Sequence, residues 1–268
     1  MTPVLEFRDA ELAFGARTLW SGLNLDVAAG EFLAVLGPNG SGKTSLLKTI
    51  LGQEHLSAGT LAFLGRPVHR GDDAIGYIPQ QKLFDEGTPL RARDLLALGL
   101  DGHRWGISLP NRARERRLDE LLESVGATSF ANAPVASLSG GEQQRLRVGQ
   151  AIASSPKLLL CDEPLLSLDL NHQRIVSELI DQHRDEHDAA VLFVTHDVNP
   201  VLDMVDRVLY LVEGRFRIGT PKDVLTSEVL SELYRTPVDV IRTRGRIVVV
   251  GTPDAHEHDH HTQSERHR

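Results

Sequence analysis

Apolar and polar positions alternate along the first part of the chain with the period of half-buried strands. LEFRDAELAF from Leu5, a break around Gly15, then LNLDV and FLAVL read as strands up to residue 36. A helical period takes over at Leu46, Leu47 and Ile50, which predicts a helix from Lys43 to about Leu51, stopped at Gly52. TLAFL and AIGYI read as short strands, punctuated by Gly65-Arg66-Pro67. From about Lys82 to Ser154 the strand signal disappears. Leu95, Leu96 and Leu98 mark one short helix, RARERRLDELLESV a charged amphipathic one, and a third begins at Gly141 and runs through LRVGQAIAS. Strand–helix alternation then returns as LLLCD, a helix from about Asn171, AVLFVT, another helix, RVLYLV and RFRIG. IVVVG, ending at Gly251, is the last strand-like run before a polar tail. The pattern predicts an α/β fold on parallel strands, interrupted by a helical insert at about 81–154, within one domain of residues 1–250.

Bulk properties narrow the class. The 268 residues suffice for a sizeable core, and 41% hydrophobic with 25% charged residues describe an ordinary globular chain. A formal charge of −8 gives no reason to expect a nucleic-acid surface, so no nucleic-acid partner is expected. No apolar run reaches the length of a bilayer-spanning helix, and MTPVLEFRDAELAF lacks a basic-then-apolar signal pattern. The single cysteine, Cys161, excludes an intrachain disulfide and suits a reducing compartment. The expectation is a cytoplasmic protein whose membrane association comes through a partner.

The chemistry is carried by short segments. Gly37-Pro38-Asn39-Gly40-Ser41-Gly42-Lys43-Thr44 fits the phosphate-binding pattern G-x-x-x-x-G-K-[ST], between a strand and a helix. Glycines let consecutive N–H groups curl toward one anion, where the helix adds its positive end. Lys43 supplies a point charge for the outer phosphates, and the Thr44 hydroxyl is placed to ligate Mg²⁺. At Leu158–Glu163 an apolar run ends in two carboxylates at the end of a strand where ligands bind. Strand alternation would send Asp162 to Mg²⁺ and Glu163 to a water beyond the terminal phosphate. Ser139 and Glu142 have the spacing of a capping box, which needs no function, while Gly140-Gly141 would equally expose a helix end to phosphate. His196 ends the strand AVLFV, where a lone histidine is usually solvated or structural. Gln80, after Ile75–Ile78, says nothing by itself, and periodicity alone puts Phe14 in the core.

Taken in order over residues 4 to about 220, these segments resemble the ATP-binding cassette (ABC) family of transporter ATPases. The resemblance implies a phosphate-loop fold with an N-terminal antiparallel β subdomain and an inserted helical subdomain. It makes Gly37 to Ser45 the Walker A loop, Leu158 to Glu163 Walker B, and Leu138–Glu142 the LSGGE signature. Gln80 matches the Q-loop, Ser167-Leu168-Asp169 the D-loop, and His196 the switch histidine. Phe14 stands where the family more often places Tyr under adenine. The implied ligands are ATP, on Phe14, Gly37 to Ser45, Ser139, Gly140, Gly141 and Asp169, and Mg²⁺, on Thr44, Gln80 and Asp162. Glu163, His196, Gln80 and Lys43 are the implied catalytic groups. Two copies would pack head to tail, with integral-membrane permease subunits as partners and, for an importer, a separate solute-binding protein. Residues 81 to 100 are the candidate permease surface, at the cytoplasmic face of the plasma membrane.

Gly219–Leu225 and Leu233–Val238 look like the C-terminal extension of zinc- and manganese-importer ATPases, although importers of iron-siderophore or cobalamin share much of it. Five of the twelve histidines fall in the tail, within AHEHDHHTQSERHR. Such a tract can bind a divalent metal, or simply be a solvated disordered tail at 251–268. The leading expectation is the ATPase of a zinc or manganese importer. An importer of another small solute is the alternative, ahead of an exporter. Relatives acting on DNA or ribosomes usually have a long coiled-coil insertion or two cassettes, and this sequence shows neither. A non-hydrolysing binding module is disfavoured by intact Glu163, His196 and Gln80.

Overall fold

Three five-residue segments are buried at every position, as strands covered on both faces must be: β3 (Phe32–Leu36), β7 (Leu158–Asp162) and β8 (Ala190–Val194). The computed structural model describes residues 3–80, 83–85, 87–102 and 112–251. Within it, β6 (Ile75–Ile78), β7, β8, β3 and β9 (Arg207–Val212) lie side by side as a parallel sheet. β10 (Arg215–Gly219) is added antiparallel to β9, giving the order β10-β9-β3-β8-β7-β6. Alternate residues of the central strands serve two cores. Phe32, Ala34, Leu159, Cys161, Val191 and Phe193 face one; Leu33, Val35, Leu158, Leu160, Leu192 and Val194 face the other.

The second core is closed by α1 (Lys43–Ile50), through Leu46, Leu47 and Ile50, and by an antiparallel sheet ordered β2-β1-β4-β5. Its strands are β1 (Leu5–Phe14), β2 (Arg17–Val27), β4 (Ala58–Phe63) and the two-residue β5 (Arg66–Pro67). Phe7 and Trp20 meet edge to face there, 6.3 Å between ring centroids. The first core is closed by α2 (Ala92–Asp101), α3 (Arg112–Ser124) and α4 (Gly140–Ile152), all between β6 and β7, and by α5 (Leu170–His187). Beyond β10 come α6 (Pro221–Val224), α7 (Ser227–Tyr234) and a hairpin of β11 (Asp239–Thr243) with β12 (Arg246–Val250). Of these C-terminal elements the hydrophobic pattern indicates only β12.

Two expectations are corrected. The helix predicted after AVLFVT is a single 3₁₀ turn, Asn199–Val201. Side chains compete for the backbone here: Thr195 Oγ1 donates to Asp197 O, and Asp197 Oδ1 accepts from the Asn199 N–H, so the segment turns instead of coiling. Phe14, a core position by period, is 50% exposed, because β1 ends at the rim of its sheet where no layer covers it. The tail from residue 252 onward lies outside the described residues, as do 81, 82 and 86 of the candidate permease surface.

One buried titratable group ties this packing to pH. His183 on α5 is 4% exposed, stacked on His187 at 4.4 Å, with Nε2 3.3 Å from the Pro156 carbonyl. Burial pushes its pKa down to about 4 from the ordinary 6.5. The native state therefore holds it neutral, while the unfolded chain takes up a proton below about pH 6.5. Its contribution is complete above that pH and is lost as pH falls toward 4. Urea titrations across this window are expected to show a steeper loss of stability for the native sequence than for His183→Gln. Equal slopes would contradict the assignment.

Candidate functional site

The loop from β3 to α1 is shaped by backbone that only glycine accommodates well. Gly37, at φ 140°, packs so closely on β9 that a Cβ would lie 2.0 Å from the Leu211 carbonyl oxygen. Gly42 caps α1 at φ 98° with no side-chain hydrogen bond, so no cap side chain satisfies the N–H groups of the first turn. The Ser41 hydroxyl is buried in the loop without a partner. Lys43 folds back over the loop, donating from Nζ to Gly37 O at 2.7 Å and Pro38 O at 2.9 Å. Burial lowers its pKa, while the charges of Glu163 and Asp162 act the other way. A nearly buried cation, an orphaned hydroxyl and a helix end converge on one place, which is what a polyphosphate requires.

Asp162 closes β7 beside this loop. Its Oδ1 accepts from Thr44 Oγ1 at 3.2 Å and its Oδ2 from Tyr77 OH at 3.5 Å. Burial raises the pKa of this carboxyl, and the Thr44 hydrogen bond opposes it. Tyr77, on β6, is pushed up to about 12 by burial and by the Asp162 charge, so its hydroxyl stays a donor. A carboxylate and a hydroxyl adjacent to the phosphate loop make a hard-oxygen pair of the kind Mg²⁺ takes together with substrate phosphates.

Glu163 leaves the strand. Its φ of 49° is left-handed, and its N–H donates to Val194 O at 2.9 Å. The divergence of Asp162 and Glu163 thus comes from a turn after Asp162, correcting the strand-alternation reading. The turn brings Glu163 Oε2 within 2.8 Å of His196 Nδ1, at the end of neighbouring β8. Gln80, beyond the end of β6, borders the same cleft of about 750 Å³ with Gly37, Pro38, Asn39, Glu163 and His196. Residues far apart in sequence are gathered because four strands end side by side.

Two expected groups stand elsewhere. Ser139 caps α4: its Oγ accepts from the Glu142 N–H, and Glu142 Oε2 accepts from the Ser139 N–H at 2.8 Å. Asp169 caps α5, with Oδ1 accepting from the His172 N–H at 2.9 Å and Oδ2 2.8 Å from His172 Nδ1. The His172 ring lies so close to Gly141 that a Cβ there would be 2.0 Å from the ring. The serine–glycine segment and Asp169 therefore form one connected surface through His172, apart from the cleft. Phe14, at the exposed end of β1, makes no ring contact among the described residues.

Several groups had no sequence signal. Arg17 donates from Nη2 to Gly40 O at 3.2 Å, bracing the loop from β2. Tyr77 is an aromatic in a strand like any other until its hydroxyl is seen at Asp162. Residues 247–249 of β12 line the same cleft as Glu163 and His196.

Comparison with known proteins agrees with this geometry. Residues 20–166 match the ABC transporter family. The chain is similar to the zinc import ATP-binding protein ZnuC of Marinobacter nauticus, 32% identical over 97% of this chain and 99% of that one. It is similar to the manganese transport system ATP-binding protein MntB of Halalkalibacterium halodurans, 28% identical over 93% and 99%. It is also 32% identical, over 91% of its length and 69% of the relative's, to the sulfate/thiosulfate import ATP-binding protein CysA of Bacillus cereus. Among solved structures, a metal-chelate type ABC transporter in an inward-facing conformation superposes with a TM-score of 0.77, at 29% identity over 92% of this chain and 96% of that one. With its phosphate loop, paired carboxylates and histidine in place, the chain belongs to the ABC transporter family, as an ATPase domain that couples hydrolysis to transport.

Proposed function

We propose that this chain is the ATP-hydrolysing subunit of an importer for divalent metal ions, zinc or manganese, with residues 1–250 as its ATPase domain. The hydrolytic part rests above all on the 2.8 Å contact between Glu163 and His196 beside the phosphate loop. The first-turn N–H groups of α1, with Ser41, Ser45 and Lys43, bind the phosphates, and Phe14 offers an exposed ring for adenine. Glu163 takes a proton from the attacking water as the bond between the β–γ bridging oxygen and the γ-phosphorus breaks, releasing ADP and phosphate. His196, oriented through Nδ1 by Glu163, presents its other ring nitrogen to the γ-phosphate. Lys43 stabilises charge shifting onto phosphate oxygens, in a site whose burial strengthens that effect. Mg²⁺, held through Thr44, Asp162 and Gln80, supplies charge neutralisation on the phosphates when bound.

In this reading Ser139, Gly140, Gly141 and Asp169 face the nucleotide of a second copy, consistent with their position outside the chain's own cleft. The homodimer would work with integral-membrane permeases, contacted at 81–100, and with a separate solute-binding protein. No helix among the described residues is long and apolar enough to cross a membrane, so attachment at the cytoplasmic face would run through the permease. The metal substrate is supported by similarity to the zinc and manganese relatives and to the metal-chelate transporter. The similarity to the sulfate/thiosulfate relative favours small-solute import as the second reading.

Glu163→Gln is expected to retain ATP while turnover falls by about a hundredfold or more, the range lost with a general base. Turnover near the native value would remove Glu163 from that role. Lys43→Ala is expected to weaken ATP binding by roughly tenfold or more, since one charge-assisted hydrogen bond contributes about 1.5–3 kcal/mol. Unchanged affinity by calorimetry would count against the loop assignment. For the substrate, whole-cell metal content is measured in source cells lacking the chain and starved of metal. Zinc or manganese is expected to fall selectively and to be restored by the native chain but not by Lys43→Ala. Unchanged zinc and manganese, with no redundant importer, would leave the ATPase and remove the metal.

A further inference from the structure

His196 is a catalytic candidate held by little packing: its side chain is 56% exposed, and Glu163 is its hydrogen-bond partner among the described residues. Its position must come from the backbone of the turn Thr195–Asn199. That turn is fixed at one end by β8 and stiffened by Thr195 Oγ1, which donates to Asp197 O and accepts from the Asp197 N–H. At the other end Asp197 Oδ1 accepts both the backbone N–H and the side-chain amide of Asn199, at 2.9 and 2.8 Å. The Asn199 side chain then reaches 48 residues along the chain. It donates from Nδ2 to Ile247 O at 2.9 Å and accepts from the Ile247 N–H at 2.7 Å.

The β11–β12 register explains why Ile247 is available. Arg244 and Gly245 have φ of 48° and 76°, a two-residue hairpin turn with Thr243 and Arg246 as its closing pair. The next pair, Arg242 and Ile247, is then non-hydrogen-bonded, so both Ile247 backbone groups point out of the hairpin. The Asn199 amide satisfies both, as a neighbouring strand would. The hairpin is itself well anchored. Ser227 Oγ accepts from the Val240 N–H, Ser231 Oγ accepts from the Val238 N–H, and Arg242 donates to Pro221 O and Leu225 O. α7 is tied to the central sheet by Tyr234 and Tyr210, whose hydroxyls are 3.1 Å apart. The same hairpin walls the cleft containing Glu163 and His196.

We propose that Asn199 is a positioning residue for hydrolysis: it clamps the histidine turn to the C-terminal hairpin, so that the hairpin sets the placement of His196 against Glu163. ATP affinity, residing in the phosphate loop, is independent of the clamp. The inference rests on the roles proposed for Glu163 and His196, and Glu163→Gln tests those separately.

ATP turnover, KM, ATP affinity and thermal midpoint are measured on the full-length chain for Asn199→Ala, Ile247→Pro and the double variant. Ile247→Pro deletes the outward N–H without removing a ladder hydrogen bond. Each single variant is expected to lower kcat roughly three- to tenfold with KM and affinity within about twofold, the scale of one or two lost hydrogen bonds. The double variant is expected to be no slower than the worse single one, because both cut the same link. Should Ile247→Pro fail to fold, Arg242→Ala, which loosens the hairpin from α6, is expected to lower kcat in the same direction. An unchanged kcat in Asn199→Ala, parallel changes in kcat and KM, or additive losses in the double variant would each overturn the clamp. If Glu163→Gln also turns over normally, the fault lies with the hydrolytic roles and not with Asn199.

Discussion

Parallel pairing of β3, β7 and β8, buried on both faces, is the constraint from which the rest of the molecule follows. Such strands tolerate no charge along their length, so polar chemistry is displaced to their ends. Because β3 lies beside β8, and β8 beside β7, their carboxyl ends are adjacent. The phosphate loop, Asp162 and His196 therefore emerge together, although more than a hundred residues separate the first from the others in sequence. The same alternation that divides the sheet between two cores leaves this edge free for ligand.

At that edge the structure accepts two partly desolvated charges. Lys43 and Asp162 are 6% and 4% exposed, and burial moves both pKa values toward the neutral form. Carbonyls of Gly37 and Pro38 on one side, and Thr44 and Tyr77 hydroxyls on the other, offset the cost. Groups held this way are fixed before substrate arrives, the condition for electrostatic stabilisation of shifting phosphate charge. His196 is held differently, by its turn and by the mostly buried Glu163 rather than by its own burial, and so depends more on neighbouring elements for its aim.

That dependence gives the C-terminal elements a place in the catalytic half of the molecule. α7, the β11–β12 hairpin and Asn199 form a continuous set of hydrogen bonds from the central sheet back to the histidine turn. Elsewhere, His172 joins the serine–glycine segment to Asp169, so the surface proposed to face a second copy is also one connected patch. The first link consists of specific polar contacts, and the second combines the polar His172–Asp169 pair with close packing of the His172 ring on Gly141.

Much was legible in the sequence. Continuous apolar runs mark β3, β7 and β8; glycines and Lys43 mark the phosphate loop; Ser139 and Glu142 mark a helix start. Each signal is local, because period, turn chemistry and capping act over a few residues. The resemblance of ordered motifs then reached the family. What the sequence left open is what depends on distant neighbours. The turn at Glu163, the exposure of Phe14 at its sheet rim and the loss of the helix after β8 all follow from which element lies alongside. The same holds for Tyr77 at Asp162 and Asn199 at Ile247, bonds spanning 85 and 48 residues. An isolated Tyr or Asn carries no mark of such a partner, since the partner is chosen by strand order and register, which only the folded chain defines.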